Sequence, residues 1–179
     1  AFLFLLLVPA WAQEDVFTGV ERVVAVGDVH GDHDQFVSVL RSAGLIDEQN
    51  KWSGGKAHLV QTGDIMDRGP DSRKAMDLLM RLEEEAAAAG GAVHALFGNH
   101  ESMILFGDYR YLSPAEIAAF KDADSEKVRE EAWKEQKLGA AARKRWETEN
   151  PLGMVEFKRA FAPEGRYGKW IRGHNAVVK

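Results

Sequence analysis

Three short apolar runs recur along the chain, and each ends in a glycine that is followed by polar residues. The runs are RVVAVG at 22–27, AHLVQTG at 57–63 and AVHALFG at 92–98. Apolar and β-branched runs of this length are typical of buried strands. The pattern therefore predicts three strands, each of which leads into a polar loop.

The segments between these runs have helical periodicity. Apolar residues recur at helical spacing in both: Phe36, Val37 and Leu40 after the first run, and Ala75, Leu78, Leu79 and Leu82 after the second. Strands that alternate with helices predict a layered α/β domain. Ligands of open α/β sheets bind beyond the carboxyl ends of the strands, which is where the three polar loops begin.

The segment from 113 to 150 has a different composition. Ser113, Pro114 and Glu116 form a helix-start signal, with an N-cap, a first-turn proline and a capping-box glutamate. The following residues are rich in helix formers and mixed charge, and their few large apolar residues are Trp133, Leu138 and Trp146. We expect one or two solvated helices here, forming an insertion over the domain, and we assign them no chemistry.

Both ends of the chain suggest a piece of a longer protein. Residues 1–12, AFLFLLLVPAWA, carry no charge and end in the small-x-small pattern of a signal-peptidase site, but they are shorter than the roughly 20 apolar residues of a membrane span. They predict a partial signal peptide and an exported protein, periplasmic or secreted; the alternative is a buried N-terminal strand or helix. At the other end, NAVV at 175–178 is interpreted as a strand, after which the sequence stops. We interpret the chain as an N-terminal fragment with a catalytic domain over 20–179.

Composition limits the possible partners and ligands. The chain has 179 residues and a net charge of -5, and its lysines and arginines are scattered, which argues against a nucleic-acid partner. It contains no cysteine, so disulfides and thiolate metal sites are excluded. Any metal ion must therefore bind nitrogen and oxygen ligands.

The three polar loops have related sequences. They are GDVHGD at 27–32, GDIMDRG at 63–69 and GNHE at 98–101. A single glycine-aspartate or glycine-asparagine pair after a strand is ordinary turn chemistry. Three such loops at one predicted edge of a sheet indicate a functional site.

The residue types in these loops suit a pair of metal ions. Asp28 and His30 are one residue apart, so in an extended segment they lie on one side and can chelate one cation. Asp64 can bridge two ions through its two oxygens, and Asn99 can offer a neutral oxygen to the second. This sulfur-free set suits Mn, Fe or Zn, with Mn favoured. Two such ions about 3.5 to 4 Å apart can clamp a phosphate and activate a water molecule.

Three further residues suggest acid catalysis and phosphate binding. His100 follows a proposed ligand and is free to protonate a leaving oxygen, with Asp67 as the carboxylate that fixes its tautomer. Arg68 offers a planar fork of donors that matches phosphate oxygens. Glu101 either orients the loop or is a surface charge.

The remaining histidines are expected to have structural roles. His58 and His94 lie within strand runs and are expected to be packed or hydrogen-bonded in the core. His33 is expected in the first turn of a helix near the site.

In this order and spacing, GDVHG, GDIMDRG and GNHE resemble the three N-terminal signatures of the PPP phosphoprotein phosphatases, within the calcineurin-like metallophosphoesterases. The stretches RGPDSRKAMDLLMRLE and LFGNHESMILFGDYRYLSPAEIAAF are more similar to the Shewanella-like phosphatases than to the eukaryotic Ser/Thr enzymes, which usually carry Arg where Phe97 stands. The resemblance covers residues 20–179.

The resemblance implies a β-sandwich flanked by helices, with a di-metal centre at the strand ends. A hydroxide bound to both metals would attack a phosphomonoester directly, without a phosphoenzyme. The implied roles are metal ligation by Asp28, His30, Asp64 and Asn99, proton donation by His100 with Asp67 as its support, and phosphate binding by Arg68.

One departure from the family affects the second metal. The family completes that site with two further histidines, one of them in an HGG signature, and this chain has neither signature. His174 precedes the expected place and is not assigned as a ligand. The fragment is therefore expected to bind one metal well and the second poorly.

The leading hypothesis is a metal-dependent protein phosphatase, and the resemblance favours phosphotyrosine over phosphoserine or phosphothreonine. One alternative is a hydrolase of nucleotides or diadenosine polyphosphates with the same fold. Another is a catalytically silent metal-binding module, against which the presence of His100, Asp67 and Arg68 argues, because a binding module needs no acid.

Overall fold

The computed structural model describes residues 15–179, and a sheet of three parallel strands lies at its centre. The strands are β1 (Val23–Val26), β2 (His58–Gln61) and β3 (Ala92–Ala95), and β2 lies between the other two. All three predicted strands are present, and the α/β class is confirmed. The parallel arrangement brings the three carboxyl ends to one edge of the sheet.

Two helices connect the strands and cover one face of the sheet. Helix α1 (His33–Ser42) follows β1, and α2 (Ser72–Ala88) follows β2. Asp32 caps α1 by accepting a hydrogen bond of 3.1 Å from the backbone N–H of Gln35. The predicted apolar stripes are buried: Phe36, Val37 and Leu40 on α1, and Ala75, Leu78, Leu79 and Leu82 on α2.

The rest of the described chain is helical. After β3 come α3 (Asn99–Leu105), α4 (Pro114–Ala118), α5 (Ser125–Glu135), a 3-10 turn (Ala140–Ala142), α6 (Arg143–Glu149), α7 (Met154–Phe161) and α8 (Arg166–Arg172).

The segment 113–150 contains the helix predicted to start at Ser113, which is α4, and then the two helices α5 and α6, with a 3-10 turn between them. Asp122 accepts a hydrogen bond of 2.9 Å from the backbone N–H of Asp124, a turn that separates α4 from α5. Phe120 and Trp133 are buried, so one side of the segment packs on the domain. A continuous solvated helix would have exposed these rings.

The predicted strand at 175–178 is wrong: this segment has no regular secondary structure. Asn175 accepts a hydrogen bond of 3.0 Å from the backbone N–H of Phe97, and Lys179 exchanges backbone hydrogen bonds with Asp15 and Phe17. Val177 between them is 68% exposed. An apolar run forms a β-strand only when it pairs continuously with a neighbouring strand. Here the backbone of this segment is hydrogen-bonded only at isolated residues.

Within residues 15–179 the only sheet is the three-stranded one, so a second sheet of the expected sandwich is not among them. None of the helices in this part of the chain is long and apolar enough to cross a membrane. The predicted signal peptide at 1–12 lies outside the described residues, and export stays a prediction.

Candidate active site

The three polar loops meet at the carboxyl edge of the sheet, with Asp64 in the middle. The backbone carbonyl of Asp64 accepts hydrogen bonds of 3.0 Å from the N–H groups of both Val29 and His30. Its side-chain Oδ1 accepts a hydrogen bond of 2.9 Å from the backbone N–H of His100. The loop after β2 is therefore bonded to the loops after β1 and β3, and the predicted residues converge.

Two glycines allow the first two loops to touch through their backbones. The N–H of Gly69 donates a hydrogen bond of 2.9 Å to the carbonyl of His30. A Cβ atom at Gly69 would lie 2.7 Å from the carbonyl carbon of Gly31, closer than real Cβ atoms approach other atoms. A side chain at this position would push the two loops apart.

His30, Asp64 and His100 form a candidate metal site. Each offers one ligand atom, and the three atoms lie within 4.8 Å of one another. Nδ1 of His30 donates a hydrogen bond of 2.8 Å to the carbonyl of Met66, which leaves Nε2 with its lone pair available to a metal ion. That Nε2 lies 3.5 Å from Oδ2 of Asp28. Imidazole nitrogens and carboxylate oxygens held this way fit a divalent cation.

The two other predicted ligands lie at the open side of this cluster. Asp28 follows β1 and is exposed, with only the contact to His30 described above. Asn99 is the first residue of α3, is exposed, and directly precedes His100. Asp28 is separated from His30 by one residue, and both Asp28 and Asn99 can be reached from solvent.

His100 and Asp67 form a buried pair. Nδ1 of His100 lies 2.7 Å from Oδ2 of Asp67, and the two residues are 4% and 0% exposed. Burial raises the pKa of the Asp67 carboxyl group, and the hydrogen bond with His100 acts against that rise. Because Nδ1 is engaged by Asp67, the nitrogen left for chemistry is Nε2. The ring of Tyr111 packs against the His100 ring, with centroids 5.3 Å apart.

Arg68 directly follows Asp67 in the chain and is exposed. It lines an open cleft of about 620 Å³ together with His30, Gly31 and Asp71. The cleft is therefore shared by Arg68 and by His30, one of the three residues of the candidate metal site.

Four of the predicted site residues adopt the left-handed backbone conformation, which residues other than glycine rarely adopt. The φ angles are 47° at His30, 56° at Asp64, and 69° at both Asp67 and Arg68. Such conformations persist only where the surroundings impose them, and they cluster at functional sites. Nothing in the sequence indicated this feature.

Glu101 is a buried positioning group, one of the two possibilities left open by the sequence. It is 2% exposed and accepts hydrogen bonds from the backbone N–H groups of Asp64 (2.8 Å), Ile65 (2.9 Å) and Gly98 (3.0 Å). Burial raises the pKa of its carboxyl group against the effect of these hydrogen bonds. It thereby ties the loop after β2 to the start of α3.

Sequence reasoning missed Glu116 and Tyr111 as neighbours of the site. Glu116 is 0% exposed, and its Oε1 accepts a hydrogen bond of 3.2 Å from the backbone N–H of Asp67. Tyr111 accepts a hydrogen bond of 3.0 Å from the backbone N–H of Arg68. For Glu116 the only signal in the sequence was its capping-box position.

The other histidines lie outside the cluster. His58 and His94 share a hydrogen bond of 3.0 Å on neighbouring strands, as packed residues would. His174 lies 2.8 Å from Glu83, and His33 opens α1. The expectation that these side chains are structural agrees with their surroundings.

The sequence profile of the calcineurin-like phosphoesterases matches residues 21–173. Two curated relatives are Shewanella-like protein phosphatases. Shewanella-like protein phosphatase 2 of Arabidopsis thaliana is 41% identical over 105 residues, which are 59% of this chain and 27% of the relative. Shewanella-like protein phosphatase 1 of Plasmodium berghei is 36% identical over 104 residues, which are 58% of this chain and 29% of the relative. The chain thus spans less than a third of the length of either relative.

A solved structure has the same fold. It is the cold-active protein-tyrosine phosphatase of a psychrophilic Shewanella species. The two structures superpose with a TM-score of 0.70 at 29% sequence identity, and the aligned region covers 93% of this chain and 41% of the phosphatase chain. The match to the family over most of the chain, together with these relatives, shows that the chain belongs to the calcineurin-like phosphoesterase family, on the branch of the Shewanella-like protein phosphatases.

Proposed function

We propose that this chain carries the metal-binding and proton-donating part of a metal-dependent phosphomonoester hydrolase, most simply a protein phosphatase. The observation that carries the proposal is the buried Asp67–His100 pair, 2.7 Å apart, in which His100 offers an atom within 4.8 Å of ligand atoms of His30 and Asp64. A hydrolase needs both a cation site and an acid, and here the two adjoin.

Asp28, His30, Asp64 and Asn99 would hold two divalent ions, with Asp64 shared between them and manganese as the favoured metal. When bound, such ions neutralise phosphate charge and lower the pKa of a coordinated water molecule. The hydrogen bond from His30 Nδ1 to the carbonyl of Met66 fixes the ring, so that Nε2 would be available to bind a cation.

His100 would donate its Nε2 proton to the leaving oxygen of the phosphomonoester. The P–O bond to that oxygen breaks as water adds to phosphorus, giving an alcohol or phenol and inorganic phosphate. Asp67 holds the imidazole by Nδ1 and so leaves Nε2 to face the substrate. Arg68 would orient the phosphate through its guanidinium N–H groups.

The relatives favour a protein substrate. Two of them are named protein phosphatases, and the solved structure is a protein-tyrosine phosphatase, which supports phosphotyrosine as the first substrate to test. Sequences of the same family include the symmetrical bis(5'-nucleosyl)-tetraphosphatase of Delftia acidovorans, 32% identical over 80 residues. A dinucleotide polyphosphate is therefore the second candidate.

The test is phosphate release by the full-length, Mn²⁺-loaded protein from phosphotyrosyl peptides, phosphoseryl peptides, nucleotides and diadenosine tetraphosphate. We expect the phosphopeptides to be turned over with the higher kcat/KM. Turnover of the nucleotides alone would rule out a protein phosphatase. Absence of hydrolysis on every substrate, with metal bound, would leave a metal-binding module instead.

A further inference from the structure

The segment 111–116 holds the turn that carries Asp67 and Arg68. The Arg68 N–H donates to the carbonyl of Tyr111 at 3.0 Å, and the Ser113 hydroxyl donates to the carbonyl of Gly69 at 3.3 Å. The Asp67 N–H donates to Oε1 of Glu116 at 3.2 Å. Three consecutive residues of the site are thus bonded to one segment that the sequence placed in a helical insertion.

This turn needs external support. Asp67 and Arg68 are consecutive residues other than glycine, and both have a φ of 69°. A residue with a side chain keeps this strained conformation only where the surroundings determine it. Of the three supporting hydrogen bonds, only the one to Glu116 reaches the residue that contacts His100.

Glu116 is in an unusual position for a carboxyl group. It is fully buried, and its carboxyl group interacts with the buried hydroxyl group of Ser72 on α2. Burial raises its pKa to about 7. Its place on α4 is itself fixed, because the hydroxyl of Ser113 accepts a hydrogen bond of 3.1 Å from the Glu116 N–H and caps the helix.

We propose that Glu116 is a positioning residue of the hydrolase: its Oε1 holds the Asp67 N–H, and this keeps the Asp67 carboxylate against Nδ1 of His100. The proposal rests on the function proposed above, in which His100 is the acid. Glu116 itself touches neither substrate nor metal. It acts through a chain of two hydrogen bonds, from Glu116 to the Asp67 backbone and from the Asp67 side chain to His100.

The two hydrogen bonds require one specific property of the side chain at position 116. What matters is an acceptor oxygen at the place of Oε1, in either charge state of the carboxyl group. Glutamine keeps that oxygen, and methionine keeps a similar length and volume without it. The two substitutions therefore separate loss of the hydrogen bond from loss of packing.

The experiment compares wild type, Glu116→Met and Glu116→Gln in the full-length, Mn²⁺-loaded protein, with Glu131→Met on α5 as the control because Glu131 is exposed. We expect Glu116→Met to lower kcat by about 10- to 100-fold with little change in KM, the scale found when the support of a catalytic group is removed. Glu116→Gln is expected to retain at least about a third of the wild-type kcat, as is the control.

A second readout does not depend on activity. With diamagnetic Zn²⁺ in place of the paramagnetic Mn²⁺, we expect the amide proton signal of Asp67 in nuclear magnetic resonance spectra to move upfield in Glu116→Met, because its hydrogen bond is lost, and to stay near the wild-type position in Glu116→Gln. An unmoved Asp67 signal in Glu116→Met, a wild-type kcat in that variant, or equal loss of kcat in both variants would each overturn the proposal. Inactivity of wild type on all phosphomonoesters would instead overturn the proposed function, and the Asp67 signal would still report on Glu116.

Discussion

At the scale of single residues, the neighbours Asp64 and His100 have different surroundings, and these suggest different roles. Asp64 is bonded to two other loops through its backbone and its Oδ1. His100 has one nitrogen fixed by a buried carboxylate. That arrangement suits a general acid, but a carboxylate–histidine pair also supports many metal-bound histidines. Substitutions can separate the two roles.

We predict that Asp64→Asn loses bound metal and activity together, because its carboxylate serves the cation site. His100→Asn is predicted to keep its metal while turnover slows by roughly 100-fold or more, the scale of a general acid. The measurements are metal content per chain after dialysis and kcat on a phosphotyrosyl peptide.

His33→Asn is the matched control, since His33 lies near the site on α1 but outside the cluster. It is expected to change neither quantity. If His100→Asn loses metal to the same extent as Asp64→Asn, His100 is a ligand and the assignment as acid is wrong.

The buried carboxyl group of Glu116 predicts a pH-dependent loss of stability. Its pKa is raised to about 7 from a usual value near 4.5, so the folded state favours the neutral form. The stability from this group is present below about pH 4.5 and is lost as pH rises through about 7. At about 1.4 kcal/mol per pKa unit, the loss is about 2 to 4 kcal/mol.

Glu116→Gln removes the ionisable group. We therefore predict that its free energy of unfolding, relative to that of wild type, increases by about 2 to 4 kcal/mol when the pH is raised from 5 to 8. The measurement is the free energy of unfolding in urea at both pH values. Glu131→Gln, an exposed control, is expected to show the same difference from wild type at both. A pH-independent difference for Glu116→Gln would show that this carboxyl group does not titrate in that range.

The residue scale also shows what the sequence could and could not reveal. Asp28, His30 and Asp64 were predicted as ligands because they lie in glycine-containing motifs shortly after a strand, and His30 and Asp64 lie in the candidate metal cluster. Glu116 was missed because its hydrogen bond to Asp67 spans 49 positions, and its local pattern indicated only a helix start. Contacts of this length depend on tertiary packing, which no local pattern encodes.

At the scale of elements, the sequence pattern predicted β1 to β3 from their apolar and β-branched runs, and it predicted α1 and α2 because each buries an apolar stripe. The helices after residue 112 were predicted less well. Their apolar residues are spread thinly, and the aromatic packing of Phe157 with Phe120 (5.1 Å between centroids) and of Phe161 with Tyr167 on α8 (5.4 Å) joins separate parts of the chain. The wrong strand at 175–178 shows the same limit, since a strand depends on its neighbour.

The contact between the loops after β1 and β2 predicts a sensitive position at Gly69. We expect Gly69→Ala to weaken metal binding by 10-fold or more, on the order seen when the support of ligands is disturbed, because its methyl group would press on His30 and Gly31. The measurement is the Kd for Mn²⁺ by calorimetry. Gly27→Ala is the control, since no heavy atom lies within 4 Å of the corresponding Cβ position. Equal affinity in both variants would contradict close packing of the loops.

At the scale of the whole molecule, the candidate site joins three parts of the chain that are distant in sequence. Asp28 and His30 follow β1, Asp64 follows β2, and Asn99 and His100 follow β3. An ion bound by these residues would cross-link the three loops in the folded state only. Ligands that bind only the folded state raise its stability in proportion to the logarithm of their concentration.

We therefore predict that Mn²⁺ raises the Tm of the full-length protein and that a chelator reverses the rise. A free metal concentration about 100 times Kd corresponds to about 2.7 kcal/mol, or a shift of several degrees. The measurement is thermal unfolding in Mn²⁺ and in chelator, for wild type, Asp64→Asn and the control His33→Asn. The shift is expected to vanish in Asp64→Asn and to persist in the control. Because Asp64 is the residue bonded to both other loops, a full shift in Asp64→Asn would mean that the stabilising ion binds elsewhere.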